Sequence, residues 1–521
     1  MSDNAVPALG RREFTRWFWR QLTSMRTALM LLLLLAIAAV PGSLYPQRGV
    51  DARAVENYFL DHPQLAPFLD KLGMFAVYSS PWFSAVYLLL MVSLVGCILP
   101  RSFVYLKAVR ARPPRAPRNF ARLPASSTFE TDRTPDEVVA AAREALGRSR
   151  VDVVDRDGDV REVSAEKGFL REAGNLVFHV SIVVVLIGVA VGTLYGYRGS
   201  VIVTDDGGQF ANSLPQYDEF SSGTLFSTDD LPPFALTLDQ VTARFQPFGS
   251  PQAGAPREFR AAGTYTARPG DADRRFDITV NHPLSVGSTS IYLLGQGYAP
   301  VFKITDAQGD VVFDDAVPFL PADPTYTSNG IIKVPDAKPE QLGFQGFFLP
   351  TAVTQDGQEL STSAHPAAAN PLVGLNVWHG DLGLDDGRSQ SVFILDKSKM
   401  TQYKNGDANV RISLQPGMTA DLPDGGTIEF TELRQFARFQ ISSSPLVKVP
   451  LFGIVAGLLG LMVSLTVKPR RTWIRTRREG SRTVVDVAVL DRVPRDDLPA
   501  DLDDFLERFK DALGEKTEEK A

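Results

Sequence analysis

Cysteine is almost absent from this sequence: among 521 residues there is one, Cys97. A single cysteine cannot form an internal disulfide, so a domain outside the cytoplasm would have to fold without covalent cross-links. The CxxC, CxxCH and Cys/His zinc spacings all need more than one cysteine. The chain alone is therefore neither a dithiol oxidoreductase nor a c-type cytochrome.

Other signatures of known chemistry are also missing. The sequence has no P-loop, no G-x-S-x-G, no H-E-x-x-H and no G-x-G-x-x-G between a strand and a helix. Its net charge of −6 is small and mixed in sign, which argues against nucleic-acid binding. Tryptophan is scattered rather than gathered in one loop, at Trp17, Trp19, Trp82, Trp378 and Trp473.

Apolar residues, by contrast, are concentrated in four blocks. About 20 apolar helical residues are needed to cross the hydrocarbon core of a bilayer. The sequence predicts transmembrane helices over residues 27–44, 82–99, 174–197 and 446–467. None carries a Lys, Arg, Asp or Glu near its centre, and Lys448 lies at one end of the fourth, where its side chain can reach the headgroups.

The first block allows a second interpretation. A basic stretch followed by an apolar run and small residues is also typical of a cleavable signal peptide. The long polar lead with Trp17, Phe18 and Trp19 is instead typical of an interfacial aromatic belt, which favours an uncleaved helix. The N-terminus is cytoplasmic under either interpretation.

Basic residues indicate the orientation, because cytoplasmic loops are enriched in Lys and Arg. Basic clusters precede the first block and follow the second and fourth, and four crossings put all three on one side. This predicts a multi-pass plasma-membrane protein whose cytoplasmic segments are 1–26, 100–173 and 468–521. Both termini are then cytoplasmic, and Cys97 lies at the cytoplasmic end of the second helix.

The remaining segments, 45–81 and 198–445, are predicted to be extracytoplasmic. The larger one holds 29 acidic and 17 basic residues, a net charge of 17 − 29 = −12, which agrees with an outer location. It is predicted to be all-β, in a sandwich or open barrel, because short β-branched and aromatic runs alternate with Gly, Pro, Asp and Asn. These runs are Ser200–Val203, Phe276–Val280, Ser290–Leu294, Ile331–Val334, Ser391–Leu395 and Val410–Leu414.

The cytoplasmic segment 100–173 reads as a Pro/Arg linker followed by a small α/β module. Its pattern predicts a strand over Ser127–Thr131, a helix over Pro135–Leu146 capped by Thr134, and a hairpin at Asp157 and Gly158. The tail, 468–521, adds a strand-like run over Val484–Leu490, an amphipathic helix over Leu502–Leu513 and a charged end. The predicted fold class is a membrane protein with four transmembrane α-helices, a large all-β extracytoplasmic domain and a small α/β cytoplasmic module.

His179 is the main candidate for chemistry, because it lies inside the third apolar block. An imidazole within a bilayer is costly and usually faces a helix bundle or a cavity. It could be an axial ligand of a haem iron, since neutral imidazole ligates iron well. It could equally be structural, hydrogen-bonded to Ser181, Asn175 or a backbone carbonyl.

The other histidines, His62, His282, His365 and His379, are predicted to lie outside the membrane at surface or turn positions. His379, beside Trp378, is a weaker candidate for a second ligand, and no pair has metal-site spacing. In the fourth block, the Gly453, Gly457 and Gly460 positions predict a small-residue face for close helix packing.

Several strings together resemble one known family. W-R-Q-L-T-S-M-R-T-A-L and P-G-S-L-Y-P-Q flank the first block, and E-K-G-F-L-R-E-A-G-N-L-V-F-H opens the third. V-N-H-P-L and I-Y-L-L-G-Q-G-Y lie in the outer segment, and V-K-P-R-R-T-W-I-R follows the fourth block. In order, spacing and topology the chain resembles ResB-type cytochrome c biogenesis proteins from about Trp19 to Arg475.

The resemblance implies a role and partners. Such proteins act with a multi-span protein of the ResC or CcsA type, which carries a tryptophan-rich haem-handling loop, and together they bring haem to the CxxCH thiols of apocytochrome c. The family's histidine in the third helix corresponds to His179, a candidate axial ligand of a transiently bound haem. The chain is expected to be inactive alone, as one component of a haem-attachment complex.

Two other functions remain open on the sequence. A cofactor-free scaffold or sensor with an outer β domain would share the same topology. A transporter is disfavoured, because the apolar blocks have no charged or broken helices to form a substrate path.

Overall fold

The structure is a computed structural model, which describes residues 10–50, 52–156, 160–354, 361–384, 394–406, 408–491 and 498–515. It divides into two compact units, Met1–Gly188 with Lys448–Ala521, and Val189–Val447. The α-helices in the described residues are α1 (Arg11–Leu22), α2 (Met25–Leu44), α3 (Ala52–Asp61), α4 (Ala66–Lys71), α5 (Pro81–Arg110), α6 (Pro135–Leu146), α7 (Leu170–Tyr195), α8 (Lys448–Thr466) and α9 (Leu498–Leu513).

Four of these helices, α2, α5, α7 and α8, are long and apolar enough to cross a membrane. They coincide with the four blocks predicted from the sequence, although α5 continues as far as Arg110. Side-chain caps fix the starts of the first two. Ser24 accepts a hydrogen bond from the Thr27 amide at 3.2 Å, and Ser80 accepts one from the Phe83 amide at 3.4 Å.

The strands follow in chain order. The first three are β1 (Ala125–Thr131), β2 (Arg150–Asp155) and β3 (Arg161–Lys167). Those of the second unit are β4 (Tyr197–Thr204), β5 (Gly208–Ala211), β6 (Glu219–Ser222), β7 (Ala235–Phe245), β8 (Pro256–Thr266), β9 (Arg274–Thr279), β10 (Leu284–Val286), β11 (Thr289–Thr305), β12 (Val311–Ala316), β13 (Leu320–Pro321), β14 (Ser328–Val334), β15 (Leu342–Leu349), β16 (Ala352–Thr354), β17 (Ser361–Ser363), β18 (Leu372–Gly380), β19 (Met400–Gln402), β20 (Lys404–Asn405), β21 (Ala408–Asn409), β22 (Arg411–Leu414), β23 (Met418–Asp421) and β24 (Thr427–Ser443). The last two are β25 (Arg470–Glu479) and β26 (Arg482–Asp491).

The first unit contains a five-stranded antiparallel sheet in the order β1-β26-β25-β3-β2. Two helices, α6 and α9, pack their apolar faces on it through residues such as Val138 and Phe509. The strand predicted over 127–131 and the helix over Pro135–Leu146 are confirmed, and Thr134 caps that helix. The hairpin predicted at Asp157 and Gly158 lies outside the described residues.

The segment after α8 belongs to the same sheet as the segment before α7. Residues 100–173 and 468–521 are separate segments in the sequence-based prediction, but β25 from the second pairs directly with β3 from the first. The strand and helix predicted over 484–490 and 502–513 are confirmed as parts of β26 and α9. One α/β module is therefore built from two stretches of chain about 300 residues apart in sequence.

Small residues bring α7 and α8 together. The buried residues of α7 are Gly174, Ser181 and Gly188, and those of α8 include Gly453, Gly457 and Gly460. A Cβ atom placed on Gly460 would lie 2.8 Å from the Gly174 carbonyl oxygen. The close helix packing predicted from the glycines of the fourth block is confirmed.

The second unit is rich in strands, as predicted; apart from the end of α7, its described helical residues are two 3₁₀ turns, Leu214–Gln216 and Thr228–Asp230. Its longest strands, β11 and β24, have 17 residues each and pair antiparallel along their length, with irregularities near Gly295 and Phe302. One half of this ribbon packs in a core with β7 and β9, and the other half packs in a second core with β15 and β18.

The runs predicted at 200–203, 276–280, 290–294, 331–334 and 410–414 fall on or overlap strands. Residues 391–393 of the run 391–395 lie outside the described residues.

Candidate functional site

His179 lies half-buried on α7, about 14 Å along the helix from its start at Leu170. Its Nδ1 atom is 2.8 Å from the carbonyl oxygen of Asn175, one turn earlier. A carbonyl can only accept, so Nδ1 carries the proton and donates it. In a neutral imidazole the Nε2 lone pair is then available, and among the described residues Nε2 has no hydrogen-bond partner.

Aromatic rings hold the imidazole in place. The ring centroid of Tyr105, on α5, is 5.5 Å away, and that of Phe178 is 5.4 Å away, nearly perpendicular. Together with the Asn175 hydrogen bond, these contacts fix both the tautomer and the ring plane. Ligating histidines in proteins are commonly oriented in this way, with the second nitrogen bonded to a carbonyl.

A cavity of about 350 Å³ lies beside His179, between α7, α5 and the start of α2. Leu94, Ile98 and Ile182 contribute apolar walls, and His179 and Arg101 contribute polar groups. A hydrogen bond holds the end of α1, just before α2, against α5: the Ser93 hydroxyl of α5 donates to the Leu22 carbonyl at 2.6 Å. The site is therefore a cleft among three of the apolar helices.

Cys97 also lines this cavity. Its thiol donates to the Leu94 carbonyl at 3.2 Å, within its own helix. The sequence predicts Cys97 at one end of the second apolar block, but it does not predict that Cys97 or Arg101 lies next to His179. No spacing in the sequence could have done so, because residues 97 and 179 belong to different helices whose packing the hydrophobic pattern does not specify.

The other histidines have structural surroundings. A surface or turn position was expected for His365, and the surface part of that prediction is wrong, because the residue is only 4% exposed. Its Nε2 donates to the Gln246 carbonyl at 2.9 Å, and its Nδ1 accepts from the Ala367 amide at 3.1 Å, so neither nitrogen is free. His282 is exposed in a turn, and His62 packs against the ring of Tyr58.

His379 lies on β18, where its Nδ1 contacts the Glu340 carboxylate and its ring stacks on Tyr403 at 4.2 Å. Burial, with the nearby charges of Asp424 and Glu340, raises the pKa of Tyr403 to about 12. Within the described residues no group of three or more His, Cys, Asp and Glu side chains could hold a metal ion. His379 therefore has protein partners of its own but no assembled ligand set.

The string V-K-P-R-R-T-W-I-R has a structural role in the first unit. The Trp473 indole donates to the Pro114 carbonyl at 2.9 Å. The Arg475 guanidinium donates to the Pro117 carbonyl at 2.8 Å and pairs with the buried Glu162 carboxylate, also at 2.8 Å. These bonds fasten the Pro/Arg linker that follows α5 to strand β25, which follows α8.

The four apolar helices, the strand-rich second unit and the sheet that joins the segments around α7 and α8 define a class: multi-helix membrane proteins with a large β-rich portion. The chain belongs to the ResB-like family, whose model matches residues 25–503.

Curated relatives carry the name cytochrome c biogenesis protein CcsB. That of Synechococcus sp. (strain JA-2-3B'a(2-13)) is 27% identical over 288 residues, covering 54% of this chain and 57% of the relative. That of Synechococcus sp. (strain WH7803) is 28% identical, covering 52% and 58%. That of Thermosynechococcus vestitus is 26% identical, covering 54% and 60%. The matched part of the chain thus spans less than two thirds of the length of each of these relatives.

Proposed function

We propose that this chain is a subunit of a membrane complex that delivers haem to the extracytoplasmic face and supports its covalent attachment to the CxxCH motifs of apocytochrome c. The observation that carries the proposal is the His179 imidazole beside an apolar cavity: its Nδ1 is bonded to Asn175, and its Nε2 has no hydrogen-bond partner in the part of the chain that the structure describes. Membership of the ResB-like family and relatives named for cytochrome c biogenesis support it.

The residues around the cavity fit a haem as cargo. Nε2 of His179 would be the iron ligand, and Leu94, Ile98 and Ile182 offer apolar surface to the porphyrin. Haem supplies the iron that is ligated and the two vinyl groups to which the cysteine thiols add. The chain's own contribution is to bind and position the haem.

The proposed orientation puts both termini and the α/β module in the cytoplasm and the second unit outside, in a multi-pass plasma-membrane protein. The basic clusters at 11–26, 101–122 and 468–478 support it. His179 then lies near the cytoplasmic ends of α5 and α7, where haem would enter.

The proposed partner is a ResC/CcsA-type multi-span protein with a tryptophan-rich loop, and the substrate is apocytochrome c. We assign the second unit to holding this partner. Deletion of 210–435 is the sharpest test, because it leaves β4 paired with the Phe436–Ser443 part of β24. Partner binding and cytochrome maturation are expected to be lost, and their persistence would overturn this assignment.

Haem content of the purified complex tests the central proposal. His179→Ala is expected to lose most of the haem, with recovery on adding imidazole, because the small molecule can replace the missing ligand. His62→Ala serves as the control, because it removes an exposed imidazole that does not line the cavity. This variant should retain the haem content of the wild type. Unchanged haem in His179→Ala would remove His179 from the site.

The alternative is a cofactor-free scaffold or sensor. In that case His179 would have a structural role only, through the hydrogen bond from its Nδ1 to Asn175. A complex that is free of haem yet still co-purifies with its partner would favour it.

A further inference from the structure

Arg101 is the one arginine among the residues that line the cavity beside His179. Arg101 lies on α5 just beyond the apolar part of the helix, and its side chain is exposed rather than packed into the protein. Within the described residues no Asp or Glu side chain forms an ion pair with it. A residue that lines the cavity therefore carries a positive charge that no carboxylate of the described residues neutralises in an ion pair.

Arginines elsewhere in the first unit show what a structural role looks like. Arg475 pairs with the buried Glu162 at 2.8 Å, and Arg471 pairs with Glu166 at 3.1 Å. A charge at the edge of an apolar cleft, with no such partner, is well placed for an anionic ligand instead, because a guanidinium can bind a carboxylate through two parallel hydrogen bonds.

We propose that Arg101 binds a carboxylate of the ligand whose metal is held by His179. The inference rests on the proposed function and narrows the ligand to one class: a planar metal complex with an apolar body and carboxylate side chains, of which haem with its propionates is the example. His179 would bind the metal, and the apolar residues of α5 and α7 would contact the ring. Arg101 would bind a carboxylate and so orient that edge of the ring towards the basic end of the helices.

This arrangement makes Arg101 a positioning residue with a specific consequence. A charge-assisted pair contributes to binding only if the ligand bears the carboxylate, so a porphyrin whose propionates are esterified should bind more weakly. The difference expected from such a pair is about tenfold or more in affinity. Metal ligation by His179, and thus the absorption spectrum of the bound state, should not depend on Arg101.

The test titrates haemin and haemin dimethyl ester into the purified full-length chain in lipid nanodiscs and records the absorption spectrum. Wild type is expected to prefer haemin about tenfold. Arg101→Gln should lose that preference while binding the ester with unchanged affinity and spectrum, which also shows that the variant is folded. Arg101→Lys should retain part of the preference, because it keeps the charge without the bidentate geometry.

The matched control is Arg26→Gln, which removes the same charge at an exposed position near the start of α2 that does not line the cavity. It should keep the wild-type preference; a loss equal to that of Arg101→Gln would mean that general basic charge attracts haemin, and would overturn the proposal. Full preference in Arg101→Gln, with the imidazole-ligated spectrum lost only in His179→Ala, overturns the role of Arg101 and leaves the proposed function standing. A wild type that binds neither porphyrin overturns both.

Discussion

At the scale of single residues, one hydrogen bond decides what His179 can do. The Asn175 carbonyl, 2.8 Å from Nδ1, selects the tautomer in which the other nitrogen keeps its lone pair. The same bond satisfies the Nδ1–H donor within an apolar helix, where an unpaired donor would be costly. The structural and ligating interpretations of His179 are thus compatible, because they use different nitrogens.

Cys97 provides a test at this scale, since thiolate and imidazole are both iron ligands and both side chains line the cavity. The thiol donates a hydrogen bond to the Leu94 carbonyl, so its S–H is engaged within its own helix and is not placed as a thiolate ligand. Cys97→Ala is therefore expected to leave the haem content and the absorption maximum of the complex unchanged. A shifted maximum or haem loss comparable to that of His179→Ala would show that the thiol takes part in ligation.

The sequence predicted the candidate ligand but not its surroundings. His179 could be singled out because an imidazole in an apolar block is costly and therefore informative. In the sequence Arg101 is one of many basic residues at a helix margin, and Cys97 could be placed only at the end of a helix. Their shared cavity depends on how α5, α7 and α2 pack, and hydrophobicity alone does not determine which faces of apolar helices meet.

At the scale of elements, helices α7 and α8 and strands β3 and β25 form one continuous group. Strand β3 leads into α7 through Gly168, α8 leads into β25, and the two strands pair from Lys167↔Arg470 onward. The helices then pack through glycine and serine. Local patterns predicted most of these elements, but not the pairing of β3 with β25, because it joins residues about 300 positions apart.

Gly168, between β3 and α7, is closely packed against the chain that follows α8. Its φ of +82° is a left-handed conformation, and a Cβ atom would lie 2.4 Å from the Lys468 carbonyl oxygen. Gly168→Ala is expected to lower the thermal midpoint of the purified protein, because it adds backbone strain and a clash with main-chain atoms.

The matched control is Gly480→Ala in the β25–β26 turn, where φ is +64° but no atom lies within 4 Å of the added Cβ. Gly480→Ala adds backbone strain but no clash, so its thermal midpoint should fall less than that of Gly168→Ala. Equal effects would mean that the contact with Lys468 is not tight in solution.

The α7–α8 interface gives a graded prediction. A methyl group on Gly460 would meet main-chain atoms of Gly174 and Phe178, at 2.8 and 2.9 Å, which cannot rotate away. On Gly453 the nearest atom, at 2.7 Å, belongs to the Val185 side chain, which can. Gly460→Ala should therefore destabilise the protein by about 1–3 kcal/mol, as overpacking does, and reduce haem content by displacing His179. Gly453→Ala should cost less, and the reverse order in thermal unfolding would contradict this packing.

At the scale of the whole molecule, the chain combines apolar helices that need lipid with a strand-rich unit that needs water. The second unit holds itself together without disulfides, through two apolar cores that share the long β11–β24 ribbon. Its predicted all-β character followed from local patterns, whereas its two cores did not, because β11 and β24 are separated by more than 100 residues. A haem-delivery role further requires that this unit faces the compartment in which cytochromes c mature.

That orientation can be measured, because Cys97→Ala leaves a chain without cysteine into which single thiols can be introduced. Ala253→Cys, at an exposed position between β7 and β8, is expected to react with a membrane-impermeant maleimide on intact cells. Glu144→Cys, exposed on α6, should react only after the membrane is opened, since basic segments flank its module. The cysteine-free chain is the blank, and both thiols should label equally after lysis. Labelling of Glu144→Cys but not Ala253→Cys on intact cells would put the β-rich unit in the cytoplasm, where it could not meet exported apocytochromes, and the proposed function would fail.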